Sequence, residues 1–151
     1  MMPAPDPAAI FQALALGVTG DHQGGLDALQ PLVDAGPAST FALLASLAET
    51  ASKEAREANG PDTFYGTVVG PDGEGDIGML PPPIRFAARF ITAWANRDRD
   101  TAHALFWAVV EPSDRNGTSD LSDAITAVYG MAVAAAEHLV LEQRRKREGT
   151  T

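Results

Sequence analysis

The sequence predicts an all-α fold of about six helices, arranged as two pseudo-repeated three-helix units in one compact bundle. Three observations predict it. Apolar residues recur at helical spacing through both ends of the 151-residue chain. Proline, glycine and asparagine punctuate the stretches between them. A shift of 76 residues lays the apolar positions of the first half over those of the second. The expected boundaries are unit one over 5–60, a non-helical connector over 61–83, unit two over 84–147 and a tail over 148–151, all within a single helical domain.

The first helix is expected from Pro7, where a missing N–H costs nothing. It carries Ile10, Leu14 and Val18 along one face with Phe11 beside them, and Gly20-Asp21 end it. A short second helix is expected over 25–35, with Leu26, Leu29, Leu32 and Val33 facing inward and Pro31 kinking it or delaying its start. Ser39 is the expected cap of a third helix that presents Phe41, Leu44, Ala48 and Ala51, with Glu49 and Lys53 at ion-pair spacing, and Asn59-Gly60-Pro61 stops it. Residues 63–69 have strand composition, residues 70–76 are dense turn chemistry, and residues 77–80 suit a return strand, so the connector is expected to hold a short β-hairpin. A connector this long points to a functional or mobile segment.

Helix four carries Phe86, Phe90 and Trp94 at i, i+4, i+8, and helix five is expected over 98–110 with Ala102, Leu105, Phe106 and Val109. A turn over 111–118 contains Pro112 and Asn116-Gly117. The last helix starts near Ser119, is acidic early at Asp120 and Asp123, and ends in Arg144-Arg145-Lys146-Arg147, which suits the macrodipole at both ends. The 76-residue shift places Ile10, Leu14 and Val18 on Phe86, Phe90 and Trp94, and Val33 on Val109. With four extra residues in the second turn, Phe41, Ala45 and Ala48 fall on Leu121, Ile125 and Val128. Self-similarity of this kind marks duplicated architectures, although alanine-rich helices in phase also match by chance.

Composition narrows the functional classes. Hydrophobic residues make up 45% and charged residues 21%, as in a globular protein. With no cysteine, disulfides, thiolate metal sites and cysteine nucleophiles are excluded. No run approaches the roughly 20 consecutive apolar residues of a membrane span. The N-terminus lacks a basic stretch ahead of an apolar one, so no signal peptide is expected and a cytoplasmic location is. The net charge of −9 is uneven. Residues 1–84 hold 11 acids against 2 bases, and residues 85–151 hold 9 of each. An acidic half disfavours phosphates and anionic lipids as partners and favours basic ones, although solubility alone also explains it.

Each candidate site has a simpler structural explanation beside it. Phe86, Phe90, Trp94, Phe106 and Trp107 concentrate aromatic area that suits either an apolar pocket or the core. Ala127, Gly130 and Ala134 form a small-residue stripe that admits a close helix, from within the fold or from a second subunit. Arg144, Arg145, Lys146 and Arg147 are the only cationic cluster, suited to anion contact or simply to compensating a helix end. In 72–76 three carboxylates alternate as in calcium loops, but Ile77 replaces the sharp-turn glycine and Pro83 the closing glutamate, so a polar turn tip is the better reading. His22, His103 and His138 lack the spacing of a helical zinc pair. The run from Asn96 to Asp100 reads as a capped turn, with Asp98 or Asp100 as the cap. No metal, cofactor or catalytic motif is found. The expected function is a non-enzymatic intracellular protein-interaction or regulatory module, whose partner is another protein or a second copy of itself. The alternative is a small-molecule-binding domain with an apolar pocket among the C-terminal helices, and a weaker one is nucleic-acid binding through the C-terminal bases.

Overall fold

The computed structural model describes residues 7–59 and 80–149, with side chains for all of these except 54–59. Six helices occupy them: α1 (Pro7–Val18), α2 (His22–Asp34), α3 (Pro37–Asn59), α4 (Pro82–Ala95), α5 (Arg99–Asn116) and α6 (Asp120–Glu148). Among the described residues there is no strand. The expected hairpin over 63–80 and the carboxylates of 72–76 fall outside them, apart from Leu80. The helices form a compact all-helical bundle. α1 packs on α2 and α4 on α5, the two long helices α3 and α6 lie against each other, and α6 touches all five others.

The first turn follows from its residues. Gly20 takes φ +99°, a left-handed conformation that L side chains rarely adopt, and the Asp21 carboxylate accepts the Gly24 N–H at 2.9 Å. That cap starts α2 three residues earlier than the apolar pattern alone indicates. Pro31 is accommodated because it and Asp27, whose carbonyl loses a helical donor, both face solvent near the end of the helix. Gly36 at φ +119° then turns the chain into α3. This helix starts at Pro37, not at a Ser39 cap; Ser39 is buried in its first turn. Thr40 secures the corner, its hydroxyl donating to the carbonyls of Gly36 at 2.9 Å and Val33 at 3.3 Å.

α4 starts at Pro82, inside the expected connector, since proline suits a first turn. Phe86 and Phe90 are buried and Trp94 half-buried, as their spacing predicts. In the next turn Arg97 takes φ 60° and Asp98 caps α5, accepting from the Thr101 N–H at 3.2 Å and hydroxyl at 2.6 Å. Those hydrogen bonds stabilise the carboxylate and hold its pKa below the usual aspartate value.

The expected turn over 111–118 is mostly helix. α5 runs through Pro112 to Asn116 and stops at Gly117, which has φ +63°. Val110 and Ser113 are buried, and burial of that face sustains the helix past an exposed proline. The Ser113 hydroxyl donates to the Thr118 carbonyl at 2.9 Å and accepts the Leu121 N–H at 3.4 Å, tying the end of α5 to the start of α6.

The core joins Leu43, Leu44 and Leu47 of α3 to Phe90, Phe106, Val110, Val128 and Val133 from the second half of the chain. Each such side chain contributes about 1.5–3 kcal/mol on burial. Ile10, Ala13 and Leu29 bring the first hairpin into the same cluster.

Candidate functional site

Three features stand out, and α6 contributes to each. The first is a slot in the interior. Tyr129 is buried, and its hydroxyl donates to the Ala13 carbonyl of α1 at 2.6 Å. Gly17 of α1 and Gly25 of α2 leave room for it. A Cβ at position 17 would lie 2.5 Å from the hydroxyl oxygen. A Cβ at position 25 would overlap that hydroxyl and lie 2.7 Å from the Ala13 carbonyl oxygen. Burial, and secondarily the charge of Asp21, push the Tyr129 phenol above its ordinary pKa, so it stays a neutral donor. This makes Tyr129 a structural pin holding the α1–α2 hairpin on α6. Sequence reasoning missed it. The available signals were two glycines inside helical patterns, which often mark close approach, and one tyrosine in an alanine–valine helix.

The second feature is the aromatic cluster. Phe86, Phe90 and Phe106 are buried, whereas Trp107 is 45% exposed. The rings pack on one another around Phe41, which the sequence reading placed in the core but not in this set. Phe41 meets Phe90, Trp94 and Phe106 edge-on at 5.4–6.3 Å and stacks on His103 at 4.0 Å. Trp94 Nε1 donates to Glu49 at 2.8 Å, and the Arg99 guanidinium lies 5.6 Å from the Trp94 ring centroid. Phe86 also borders a cleft of about 320 Å³ between α4, α5 and α6, lined by Pro82, Pro83, Val109 and Pro112. A second cleft, of about 390 Å³, lies between α2 and the α5–α6 corner. Its lining mixes amides and hydroxyls, such as Gln23, Gln30 and Ser122, with aliphatic side chains such as Leu26, Val33 and Ile125.

The third feature is the outward face of α6. Residues 124–136 carry no charge. Thr126 and Ala134 are exposed there, and Ala127, Gly130 and Met131 are half-buried. Among the described residues a Cβ at Gly130 would meet no atom within 4 Å, so Gly130 seats none of the described helices, whereas Ala127 packs partly against the core. Glu137 follows the stripe on the same side, and Leu141 beyond it is 51% exposed. Although α6 has no unbroken apolar run of about 20 residues, by length and composition it is apolar enough to cross a membrane, a property it shares with helices that pack into a core, as this one does on its inward side. Asp120 and Asp123 stand at one end, and Arg144, Arg145, Lys146 and Arg147 at the other.

The three histidines do not converge. His22 meets the Tyr129 ring edge-on, His103 stacks on Phe41, and His138 is exposed on α6. Among the described residues no group of three His, Asp or Glu is placed to hold a metal ion. No family model, curated protein or solved structure matches the chain.

Proposed function

We propose that this protein is a non-enzymatic, cytoplasmic protein-interaction module that docks its partner on the outward face of α6. The observation that carries the reading is that face itself. An exposed helix surface is ordinarily studded with charge, and this one has none from 124 to 136, while no described residue comes within 4 Å of a Cβ placed at Gly130. Contiguous exposed apolar surface rimmed by charge is the usual sign of a protein contact. A glycine in mid-helix costs about 1 kcal/mol relative to alanine, and close approach by a partner helix gives that cost a purpose.

The reading includes a two-unit organisation of the scaffold. Several paired features support it. The short helices α1 and α4 each lead into a residue of positive φ, Gly20 or Arg97, followed by an aspartate cap, Asp21 or Asp98. The second helix of each unit carries a proline near its end, Pro31 or Pro112, and a glycine of positive φ follows it. Each unit finishes on its longest helix, and α1 meets α6 as α4 meets α3.

Recovery of the tagged chain from its native cells at native abundance tests the functional reading. A stoichiometric protein partner or a self-complex is expected, and Gly130→Arg is expected to lose it. A chain recovered alone and monomeric would contradict it. The 320 Å³ cleft favours a second reading, in which a small apolar ligand sits between α4, α5 and α6. That reading predicts a stabilising ligand in a thermal-shift screen, with the effect lost in Val109→Asp.

A further inference from the structure

We infer that the occupant of the outward α6 face is a second copy of this chain, its α6 running antiparallel. The inference rests on the docking face proposed above and adds the identity of the partner. What selects a second copy is the symmetry of the charges. Acids Asp120 and Asp123 lie at the start of the face and bases Arg144 and Arg145 at its end; the uncharged segment 124–136 lies between, followed on the same side by Glu137. Set Gly130 of one copy against Ala134 of the other, across a two-fold axis. Counting outward along both helices then brings Asp120 opposite Arg144 at both ends. Asp123 comes opposite Leu141, one turn from Arg144 and Arg145. A parallel pairing would instead place acids on acids and bases on bases.

The spacing supports the same register. Asp123, Ala127, Gly130, Ala134, Glu137 and Leu141 fall on one side of the helix, with Glu137 opposite Ala127 of the other copy, and from 120 to 144 the face is about 36 Å long. Glycine and alanine at its middle allow the two axes to approach to about 8 Å, the lower end of helix packing distances. Asp120 and Asp123 each accept a local hydroxyl, from Thr118 and Ser119, through Oδ2. Carboxylates can accept more hydrogen bonds than that, so both keep capacity for a guanidinium. A two-fold interface of this kind is self-complementary, with each contact made twice.

Charge reversal in two separate chains tests the inference. Sedimentation velocity of the purified full-length protein is expected to show a concentration-dependent dimer that weakens with salt. Asp120→Arg and Arg144→Glu, each alone, should raise the dimer dissociation constant about tenfold, because each homodimer then has like charges at both ends. Mixing the two variants should restore association to near the wild-type level, since both ends are then opposite in sign. All the substitutions lie at exposed positions, and unchanged helical circular dichroism confirms folding. A wild-type chain that stays monomeric overturns the inference, and so does a mixture that associates no better than its components. In the monomeric case the docking reading stands or falls separately, on whether a different protein is recovered from cells and lost with Gly130→Arg. A monomeric wild type that floats with phosphatidylserine vesicles would overturn the inference in favour of a membrane surface.

Discussion

Phe90→Ala should lower the unfolding free energy by about 3–5 kcal/mol, the range for a fully enclosed phenylalanine. Phe90 has no exposed surface and bridges two aromatic neighbours. Its ring meets Phe41 of α3 edge-on at 5.9 Å and stacks on Phe86, one turn earlier, at 5.5 Å. Truncation removes the transfer free energy of the ring and leaves a cavity that Phe41 cannot fill without abandoning its own contacts with His103 and Phe106. Trp107→Ala provides the contrast. Trp107 belongs to the same aromatic group in the sequence, but nearly half of it faces solvent and its ring contact is with Phe106 at the edge of the cluster, so it should cost clearly less, about 1 kcal/mol. Urea midpoints for the two variants decide whether these aromatics form a core or line a pocket. Equal losses for both would contradict the placement described here.

Gly25→Ala is expected to destabilise by about 1–3 kcal/mol, the cost of overpacking, where the same change in an open helix would stabilise by up to about 1 kcal/mol. The sign reverses because of what surrounds the α-carbon. The new methyl would overlap the Tyr129 hydroxyl and press on the Ala13 carbonyl, which is backbone and cannot rotate away. The α1–α2 hairpin must therefore open or shift on α6, and the 2.6 Å Tyr129–Ala13 hydrogen bond is strained with it. Tyr129→Phe alone should cost about 1 kcal/mol through that bond. Adding Tyr129→Phe to Gly25→Ala should cost less than the sum, because removing the hydroxyl relieves part of the overlap. Strict additivity, or a stabilising Gly25→Ala, would show that the two helices are not pinned in this way.

These two sites also show what the sequence made legible. The Phe86–Phe90–Trp94 stripe could be placed because i, i+4 spacing has a single structural meaning once a helix is granted. A cap at Asp98 or Asp100 was readable because the chemistry of a cap is local, and the structure selects Asp98. Gly25 was not readable, because a Gly-Gly pair indicates a helix boundary unless the partner residue, more than a hundred positions away, is already known. Pro112 misled for a related reason. Its local signal is to stop, and burial of Val110 and Ser113 outweighs that signal only once α6 is in place.

The outward face of α6 lies between these cases. Its stripe of small residues was visible in the spacing, but spacing alone cannot say whether such a stripe faces inward or outward. Burial settles the direction: Val128, Ala132 and Val133 face the bundle, and Gly130 and Ala134 face away from it.

Gly130→Arg tests the central claim most directly, because it separates folding from association at one residue. The position is open among the described residues, and arginine is the better helix former. At a concentration well below the dimer dissociation constant, where association adds no stability, the urea midpoint should therefore stay the same or rise by the equivalent of about 0.5–1 kcal/mol. Sedimentation of the same variant, at concentrations where the wild type dimerises, should show that self-association is lost, since the long side chain holds a partner helix away. A lowered midpoint would mean that this face is used inside the fold. An unchanged midpoint with undiminished association would mean that the contact lies elsewhere.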